Sequence, residues 1–368
     1  MAAAEAVVFE EGHWDILQPL MPRIGFPTNS KSAAPVPPGR SSSSPLSPSA
    51  VLRIAAAAIV FRAISALVAM FIGHVFPNGI AAASESSGAS FGIYPLLTRE
   101  LARAAGGVIR APATPALVIT WLAFAGAMVM MQRVAQLDID AERGDSAALL
   151  AAVFPFASVF GHANADALFL LFVLATFYGF RQGRWIAGGL CGALATATLP
   201  AGILILPGLA WTGWRRERRA STGLLLGLIA TACGLIGYFT YWYYRGGPPG
   251  GWSTAMDQWG FHFVQAPWTV YQRLHSAHPS PVGSLGDILA LVFIAAVPVV
   301  WWRFDGGYAL YMMAMLWAAA TTGRPDELGR ACALLFPVFV LIAGVRWRLI
   351  PVATAVASAM FYALVLAL

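Results

Sequence analysis

Two charged residues stand directly beside long apolar runs of this 368-residue chain. Asp166 begins the run DALFLLFVLATFY, and Arg330 precedes the run ACALLFPVFVLIAG. A charge next to hydrocarbon is costly and usually faces a cavity or a partner. In such a cavity a carboxylate could accept a proton, and an arginine could hold a phosphate through its planar fork.

Both residues also have a structural alternative. Asp166 would suit a helix cap or the first turn of a helix, where the helix dipole favours an acid. Arg330 could form a salt bridge with Asp326 or Glu327, which lie within one helical turn of it. The sequence leaves the chemical and structural roles open for both residues.

A polar and aromatic segment at residues 245–284 provides a second group of candidates. It interleaves aromatic and polar side chains, namely Trp252, Asp257, Gln258, Trp259, His262, Trp268, Tyr271 and Arg273. Such a mixture suits a sugar or a lipid headgroup, while aromatic residues at a membrane interface can also serve only as a belt. No histidine or cysteine has metal-site spacing, and no glycine-rich phosphate-binding motif is present. We therefore expect no metal and no cofactor.

The composition explains what surrounds these residues. Hydrophobic residues make up 58% of the chain and charged residues only 11%, against about 25% charged residues in an ordinary globular domain. The apolar residues come in blocks of roughly 17 to 25, the length that a helix needs to cross a bilayer. The net charge of +6 could indicate nucleic acid, but the basic residues sit singly or in short clusters between apolar blocks. The sequence therefore predicts an all-α, polytopic membrane protein that does not bind nucleic acid.

The chain divides at about residue 50. Residues 1–50 are rich in serine and proline, which predicts a disordered tail, and residues 51–368 form the predicted membrane domain. We expect about 11 transmembrane helices, at 51–76, 113–133, 146–161, 165–181, 185–198, 201–214, 222–244, 285–303, 307–322, 331–346 and 349–368. The stretch from Tyr94 to Arg110 carries too many charges to span easily and is expected to form an interfacial amphipathic helix.

Basic clusters predict the orientation of these helices. If the helices alternate, one side receives Arg133, Arg143, Arg181, Arg184, Arg215, Arg216, Arg218, Arg219, Arg303, Arg346 and Arg348. By the positive-inside rule that side is cytoplasmic, as is the N-terminal tail. The other side receives the long loops 77–112 and 245–284 and the helix ends that carry Asp166 and Arg330.

Four segments follow the order and spacing of a known family. Residues 91–97 read FGIYPLL, similar to that family's FFPLYPLL, and residues 154–207 resemble its P-x-S-x-F, Y-[ST]-E-[SA]-L-F, W-x-x-A-G and L-A-x-x-T-R-x-x-G motifs. The loop containing Asp257-Gln258-Trp259 is the third segment, and Arg330 with LFPVF at 335–339, similar to R-Y-x-L-x-x-F-P-L-F, is the fourth. The chain thus resembles the mannosyltransferase family that contains GPI mannosyltransferase 2, the phosphatidylinositol-glycan class V proteins, and its bacterial relatives.

This resemblance implies a GT-C glycosyltransferase, a multi-helix membrane enzyme. It would move mannose from a polyprenyl-phosphate donor to a lipid or glycan acceptor on the non-cytoplasmic face. The implied catalytic residue is Asp166, which stands where the family has glutamate, and Glu85 in the first external loop is the other candidate base. The implied substrate-binding residues are Tyr94, Asn164, Asp257, Gln258, Trp259 and Arg330. The membrane would be the plasma membrane in a bacterium or the endoplasmic reticulum in a eukaryote.

The chain departs from the family at two functional positions, and its only Trp-Asp pair, Trp14-Asp15, lies in the tail predicted to be cytoplasmic. Residues 77–90 contain no counterpart of the family's Trp-Asp pair, with Glu85 as their only acid, and Leu199 replaces the arginine of T-R-x-x-G. These departures leave open a non-catalytic membrane scaffold or lipid-binding subunit derived from such an enzyme. A secondary transporter would show internal inverted repeats, and no convincing repeat is evident in the sequence.

Overall fold

The computed structural model describes residues 49, 51–60, 63, 92–104, 113–219, 221–244, 268, 272, 281–322 and 327–345. Within these ranges every regular element is a helix, which confirms the predicted all-α class for this part of the chain. The α-helices are α1 Val51–Val60, α2 Ile93–Ala104, α3 Ala113–Ala135, α4 Ala141–Val153, α5 Asp166–Arg181, α6 Trp185–Thr198, α7 Leu206–Glu217, α8 Thr222–Tyr244, α9 Pro281–Arg303, α10 Gly306–Thr321, α11 Glu327–Leu334 and α12 Phe336–Ala343. Two 3-10 helices, Pro155–Gly161 and Pro200–Ile205, complete the set. The predicted tail apart from Ser49, and the predicted helix at 349–368, lie outside the described residues.

Three of the described helices are long and apolar enough to cross a membrane. They contain the stretches Thr114–Ala135 in α3, Thr222–Thr240 in α8 and Leu285–Arg303 in α9. About 20 apolar residues cover the hydrocarbon core of a bilayer, and each stretch coincides with a predicted membrane helix. Helices α5, α6 and α10 also lie where helices were predicted, with 16, 14 and 16 residues. These apolar helices support an integral membrane protein.

Prolines interrupt two of the predicted helices and alter the start of a third. The helix expected at 146–161 is bent by 78° between α4 and the 3-10 helix that begins at Pro155. A proline lacks an N–H and pushes the preceding residue out of the α region, and Phe154 accordingly has ψ 141. Leu199, with ψ 134, precedes Pro200 in the same way, so the segment predicted at 201–214 begins as a 3-10 helix. The helix predicted at 331–346 is divided at Leu335 into α11 and α12.

Helix α5 is enclosed by its neighbours. Its sequence is apolar on nearly every face, and none of its residues is exposed. Helices α3 and α6 pack against it, and Phe177 contacts the rings of Tyr308 and Phe336 at centroid distances of 5.3 and 5.4 Å. The charges at its two ends are consequently withdrawn from solvent: the side chain of Asp166 is fully buried and that of Arg181 is only 20% exposed.

Small residues allow α6 and α8 to approach closely. A Cβ added to Gly234 would lie 2.0 Å from the carbonyl oxygen of Ala193. The hydroxyl of Thr196 lies 2.8 Å from the carbonyl oxygen of Thr231 across the same contact. Close backbone approach over small residues, with hydroxyl groups bridging the helices, is a usual mode of helix packing in membranes.

Adding a methyl group at Gly234 should disrupt this contact. We expect Gly234→Ala to destabilise the protein by about 1–3 kcal/mol, as overpacking does in close-packed interiors, measured by thermal unfolding in detergent. Gly237→Ala is the matched control, because no described atom lies within 4 Å of a Cβ there. Alanine is a better helix former than glycine, so this control should keep or raise the unfolding midpoint. An equal loss of stability in both variants would contradict the packing argument.

Candidate functional site

Asp166 and Arg330 form a bidentate ion pair. Nε of Arg330 donates to Oδ2 of Asp166 at 3.0 Å, and Nη2 donates to Oδ1 at 2.7 Å. Asp166 is the first residue of α5 and is fully buried, while Arg330 lies in the middle of α11 with 23% of its side chain exposed. A buried carboxylate is costly without a partner, so this contact joins α5 to α11. The two charges that stand beside apolar runs therefore meet directly in the fold.

Arg330 lies between two carboxylates. Glu327, one turn earlier on α11, places Oε2 3.4 Å from Nη1 of Arg330. The salt bridge considered as the alternative role of Arg330 therefore forms in addition to the contact with Asp166. Because two acids surround one guanidinium, an anionic ligand that binds Arg330 must compete with both.

A pocket lies beside this cluster. Asp166, Glu327 and Arg330 provide its polar wall, and the apolar wall includes Phe169, Leu199, Met315, Ala318 and Leu334. The pocket therefore places a charged end beside an apolar wall. Within the described ranges no three His, Cys, Asp or Glu side chains are grouped so as to hold a metal ion.

Asn164 fixes the start of α5. Its Oδ1 accepts a hydrogen bond from the backbone N–H of Asp166 at 3.2 Å, and its Nδ2 donates to the carbonyl oxygen of Val159 at 2.7 Å. The first turn of a helix has N–H groups without helical partners, and asparagine often satisfies one of them. Asn164 therefore orients the residue that carries the carboxylate.

Tyr94 supports the same turn from α2. Its hydroxyl lies 2.9 Å from Oγ1 of Thr120 and 3.0 Å from the carbonyl oxygen of Ala116, and Oγ1 of Thr120 lies 3.2 Å from the carbonyl oxygen of Asn164. Burial raises the pKa of the Tyr94 phenol above its ordinary value; the hydrogen bond with Thr120 acts in the opposite direction, and the charge of Asp166 adds to the rise. The phenol thus stays protonated at neutral pH and can donate a hydrogen bond.

The predicted site residues fall into three groups. Asp166 and Arg330 line the pocket. Tyr94 and Asn164, predicted to bind substrate, are not among the described residues of the pocket wall. Their polar atoms contact the backbone and Thr120 instead, so the structure gives them a positioning role. The remaining predicted residues lie outside the described part of the chain: Glu85, Asp257, Gln258 and Trp259.

Arg181, at the other end of α5, is the centre of a second ion cluster. Its Nη2 lies 2.6 Å from Oδ1 of Asp138 and its Nη1 lies 3.6 Å from Oδ2 of Asp305. The guanidinium carbon lies 5.4 Å from the ring centroid of Tyr308, and Asp305 also accepts from the backbone N–H of Gly307 at 2.9 Å, which caps α10. The sequence suggested only an orienting charge for Arg181. The sequence did contain a signal for this cluster, because Asp138 and Asp305 both follow apolar helices on the side of the membrane predicted to be cytoplasmic.

Asp287 is a further buried acid that the sequence analysis did not single out. It is 5% exposed, in α9, and the neighbouring Gly286 packs against Gly329 of α11, with 3.1 Å between a Cβ added to Gly286 and the backbone nitrogen of Gly329. The sequence feature that could have identified it is the position of this acid near the start of the apolar run LGDILALVFIAA. An acid in that setting usually marks a polar space or a partner.

The chain matches no protein-family model, no curated protein and no solved structure. The function proposed below therefore rests on the geometry of the pocket and on the motif resemblance.

The Asp166–Arg330 pair should show strong energetic coupling. Arg330→Met would leave a buried carboxylate without its main partner and should cost about 3–5 kcal/mol. The double variant Asp166→Asn/Arg330→Met should cost less than the sum of the single variants, because no ionised carboxylate is then stranded. Equilibrium unfolding in detergent would measure the free energy of unfolding of the two single variants and of the double variant.

The control for this cycle is the exposed pair Glu100 and Arg103 on α2, whose side chains are 61% and 65% exposed. Exposed pairs contribute about 0–1 kcal/mol, so Arg103→Met should have little effect. Strictly additive losses at Asp166 and Arg330 would show that the pair does not hold the two helices together.

Proposed function

We propose that this chain is a GT-C glycosyltransferase that moves mannose from a polyprenyl-phosphate donor to an acceptor hydroxyl at the non-cytoplasmic face of a membrane. The observation that carries the proposal is the meeting of Asp166 and Arg330 at one pocket. The family resemblance assigns chemistry to both positions, although they are 164 residues apart. Leu199, which replaces a functional arginine of the family, lines the same pocket.

The proposed reaction needs a base and a group that stabilises the departing phosphate. The bond between the anomeric carbon and the phosphate oxygen breaks, a bond to the acceptor oxygen forms, and the acceptor proton passes to a carboxylate. Asp166 is the proposed base, with Glu85 as the other candidate. Arg330 is the proposed contact for the phosphate, which leaves on the polyprenyl carrier.

The closed ion pair determines how Arg330 would meet a phosphate. Its Nε and Nη2 edge, the one suited to bidentate contact, faces Asp166. We propose that the donor phosphate displaces Asp166 from this edge, since both are anions that the same fork can bind. The displacement would free the carboxylate for the acceptor hydroxyl, so donor binding would prepare the base.

The apolar wall favours a lipid carrier over a soluble sugar phosphate. Phe169, Met315 and Leu334 line the pocket next to Arg330. These side chains can contact an isoprenoid chain while the phosphate meets the guanidinium. Because leucine stands at position 199, Arg330 is the only positively charged residue among the described residues of the pocket wall.

The proposed topology has about 11 transmembrane helices and a cytoplasmic N-terminus. Arg216 contacts the carbonyl oxygen of Arg181, so two of the predicted cytoplasmic arginines lie at the same end of the helices. Along α5 the rise from Arg181 to Asp166 is about 22 Å. The proposed active site would therefore lie toward the non-cytoplasmic surface, in the plasma membrane or the endoplasmic reticulum according to the organism.

A non-catalytic scaffold or lipid-binding subunit is the second candidate. The observation that favours it is that both carboxylate oxygens of Asp166 accept from Arg330, as in a purely structural pair. The absence of a Trp-Asp pair from residues 77–90 points the same way. This candidate retains the pocket but has no turnover.

Transfer of labelled mannose from a polyprenyl-phosphate donor, in liposomes containing the purified protein, tests the proposal. We expect Asp166→Asn to lower the rate by about 100-fold or more, the usual contribution of a general base. Arg330→Lys should also lower it, because lysine keeps the charge but loses the fork. Glu85→Gln examines the other candidate base.

Glu100→Gln is the control for this assay, because Glu100 is 61% exposed on α2 and pairs only with Arg103 among the described residues. It should keep the wild-type rate. No transfer by wild type with several donors and acceptors, in protein that is folded and inserted, would favour the non-catalytic scaffold.

A further inference from the structure

Four exposed arginines lie around the end of α7, at positions 215, 216, 218 and 219. We call residues 215–219, which are the last three residues of α7 and the two that follow it, the arginine loop. As a sequence pattern this cluster predicts helix orientation, a role that requires only charge. In the structure the four side chains have different environments, and the difference indicates a binding surface.

Arg216 has a structural role. Its Nη1 donates to the carbonyl oxygen of Arg181 at 2.6 Å, and its Nη2 lies 3.5 Å from that of Gln182. Its Nε would lie 3.0 Å from a Cβ added to Gly183, so the guanidinium covers the turn after α5. This arginine joins the loop to the end of α5.

The other three arginines have no such contacts. Within the part of the chain that the structure describes, Arg215, Arg218 and Arg219 make no hydrogen bond or ion pair through their side chains. Glu217, the one acid in the loop, already accepts a hydrogen bond from Nε1 of Trp185 at 2.7 Å. Three neighbouring guanidinium groups are thus exposed without an anionic partner among the described residues.

The backbone of Arg218 supports a functional reason for its side chain. Its backbone has φ 57° and ψ 11°. Among the described residues it is the only non-glycine residue with a positive φ. Helices commonly end on a glycine in this left-handed conformation, because a Cβ is disfavoured there. An arginine is therefore less favourable than glycine for closing α7, which indicates that the side chain serves another purpose.

Tryptophans flank the loop. Trp214 is 53% exposed, and its ring lies 5.7 Å from that of Trp211, which lies 4.8 Å from Trp301 near the end of α9. Trp302 is 84% exposed. Tryptophan is enriched at the level of lipid headgroups, where its apolar ring and its N–H each find a suitable environment.

We infer that the arginine loop binds anionic phospholipid, with Arg215, Arg218 and Arg219 on headgroup phosphates and Trp214 anchored beside them. The apolar stretch Thr222–Thr240 begins directly after the loop, which puts the guanidinium groups at the depth of the headgroups. The planar fork of arginine matches phosphate oxygens. This surface is separate from the Asp166 pocket and does not depend on glycosyl transfer.

Two variants that each remove one charge separate this binding from a general charge effect. The full chain would be titrated with phosphatidylglycerol in phosphatidylcholine nanodiscs, and bound lipid counted by native mass spectrometry. Arg218→Gly should weaken phosphatidylglycerol binding about fivefold and keep or raise the thermal midpoint. Arg216→Gln should keep the lipid affinity and lower the midpoint, because it removes contacts to the turn after α5.

Three results would overturn the inference. In the first, Arg216→Gln and Arg218→Gly weaken the affinity for phosphatidylglycerol equally. In the second, Arg218→Gly leaves that affinity unchanged. In the third, the wild type shows no preference for phosphatidylglycerol over phosphatidylcholine. If Arg216→Gln does not fold, Arg103→Gln on α2 supplies the charge-matched control, since that side chain is 65% exposed.

Discussion

Enclosing α5 among other helices places its two terminal charges, Asp166 and Arg181, in largely apolar surroundings. An unpaired charge there would cost several kcal/mol, so each must meet an opposite charge from elsewhere in the chain. Asp166 meets Arg330, and Arg181 meets Asp138 and Asp305. These contacts join α5 to α11 at one end, and to the segments after α3 and α9 at the other. Both ends of α5 are therefore held by residues distant in the sequence.

The two ends of α5 differ in what surrounds the ion pairs. At the Arg181 end, Asp305 also caps α10 and the carbonyl oxygen of Arg181 accepts from Arg216, so the cluster is tied into the backbone. At the Asp166 end a pocket with an apolar wall adjoins the pair. A pair beside a pocket can exchange a partner for a ligand of the same charge. This is why we assign chemistry to Asp166 and an anchoring role to Arg181.

The sequence predicted the helical class and singled out Asp166 and Arg330, because isolated charges beside apolar runs have few inexpensive environments. It did not predict that the two residues would pair directly, since the rotation of α11 relative to α5 depends on packing. Tyr94 and Asn164 were matched to binding motifs, but the motif could not show that their polar atoms would be used on Thr120 and the start of α5. The interruptions at Phe154 and Leu335 followed from neighbouring prolines, whose effect on a long apolar run was underestimated.

We propose that Arg330 exchanges Asp166 for the phosphate of a lipid carrier. A cryo-EM structure of the protein in nanodiscs with added polyprenyl phosphate would test it most directly. We expect phosphate oxygens within hydrogen-bonding distance of the Arg330 guanidinium, the lipid chain along Phe169 and Met315, and the Asp166 carboxylate turned away from the guanidinium. A phosphate bound elsewhere, with the Asp166–Arg330 pair still closed, would contradict it.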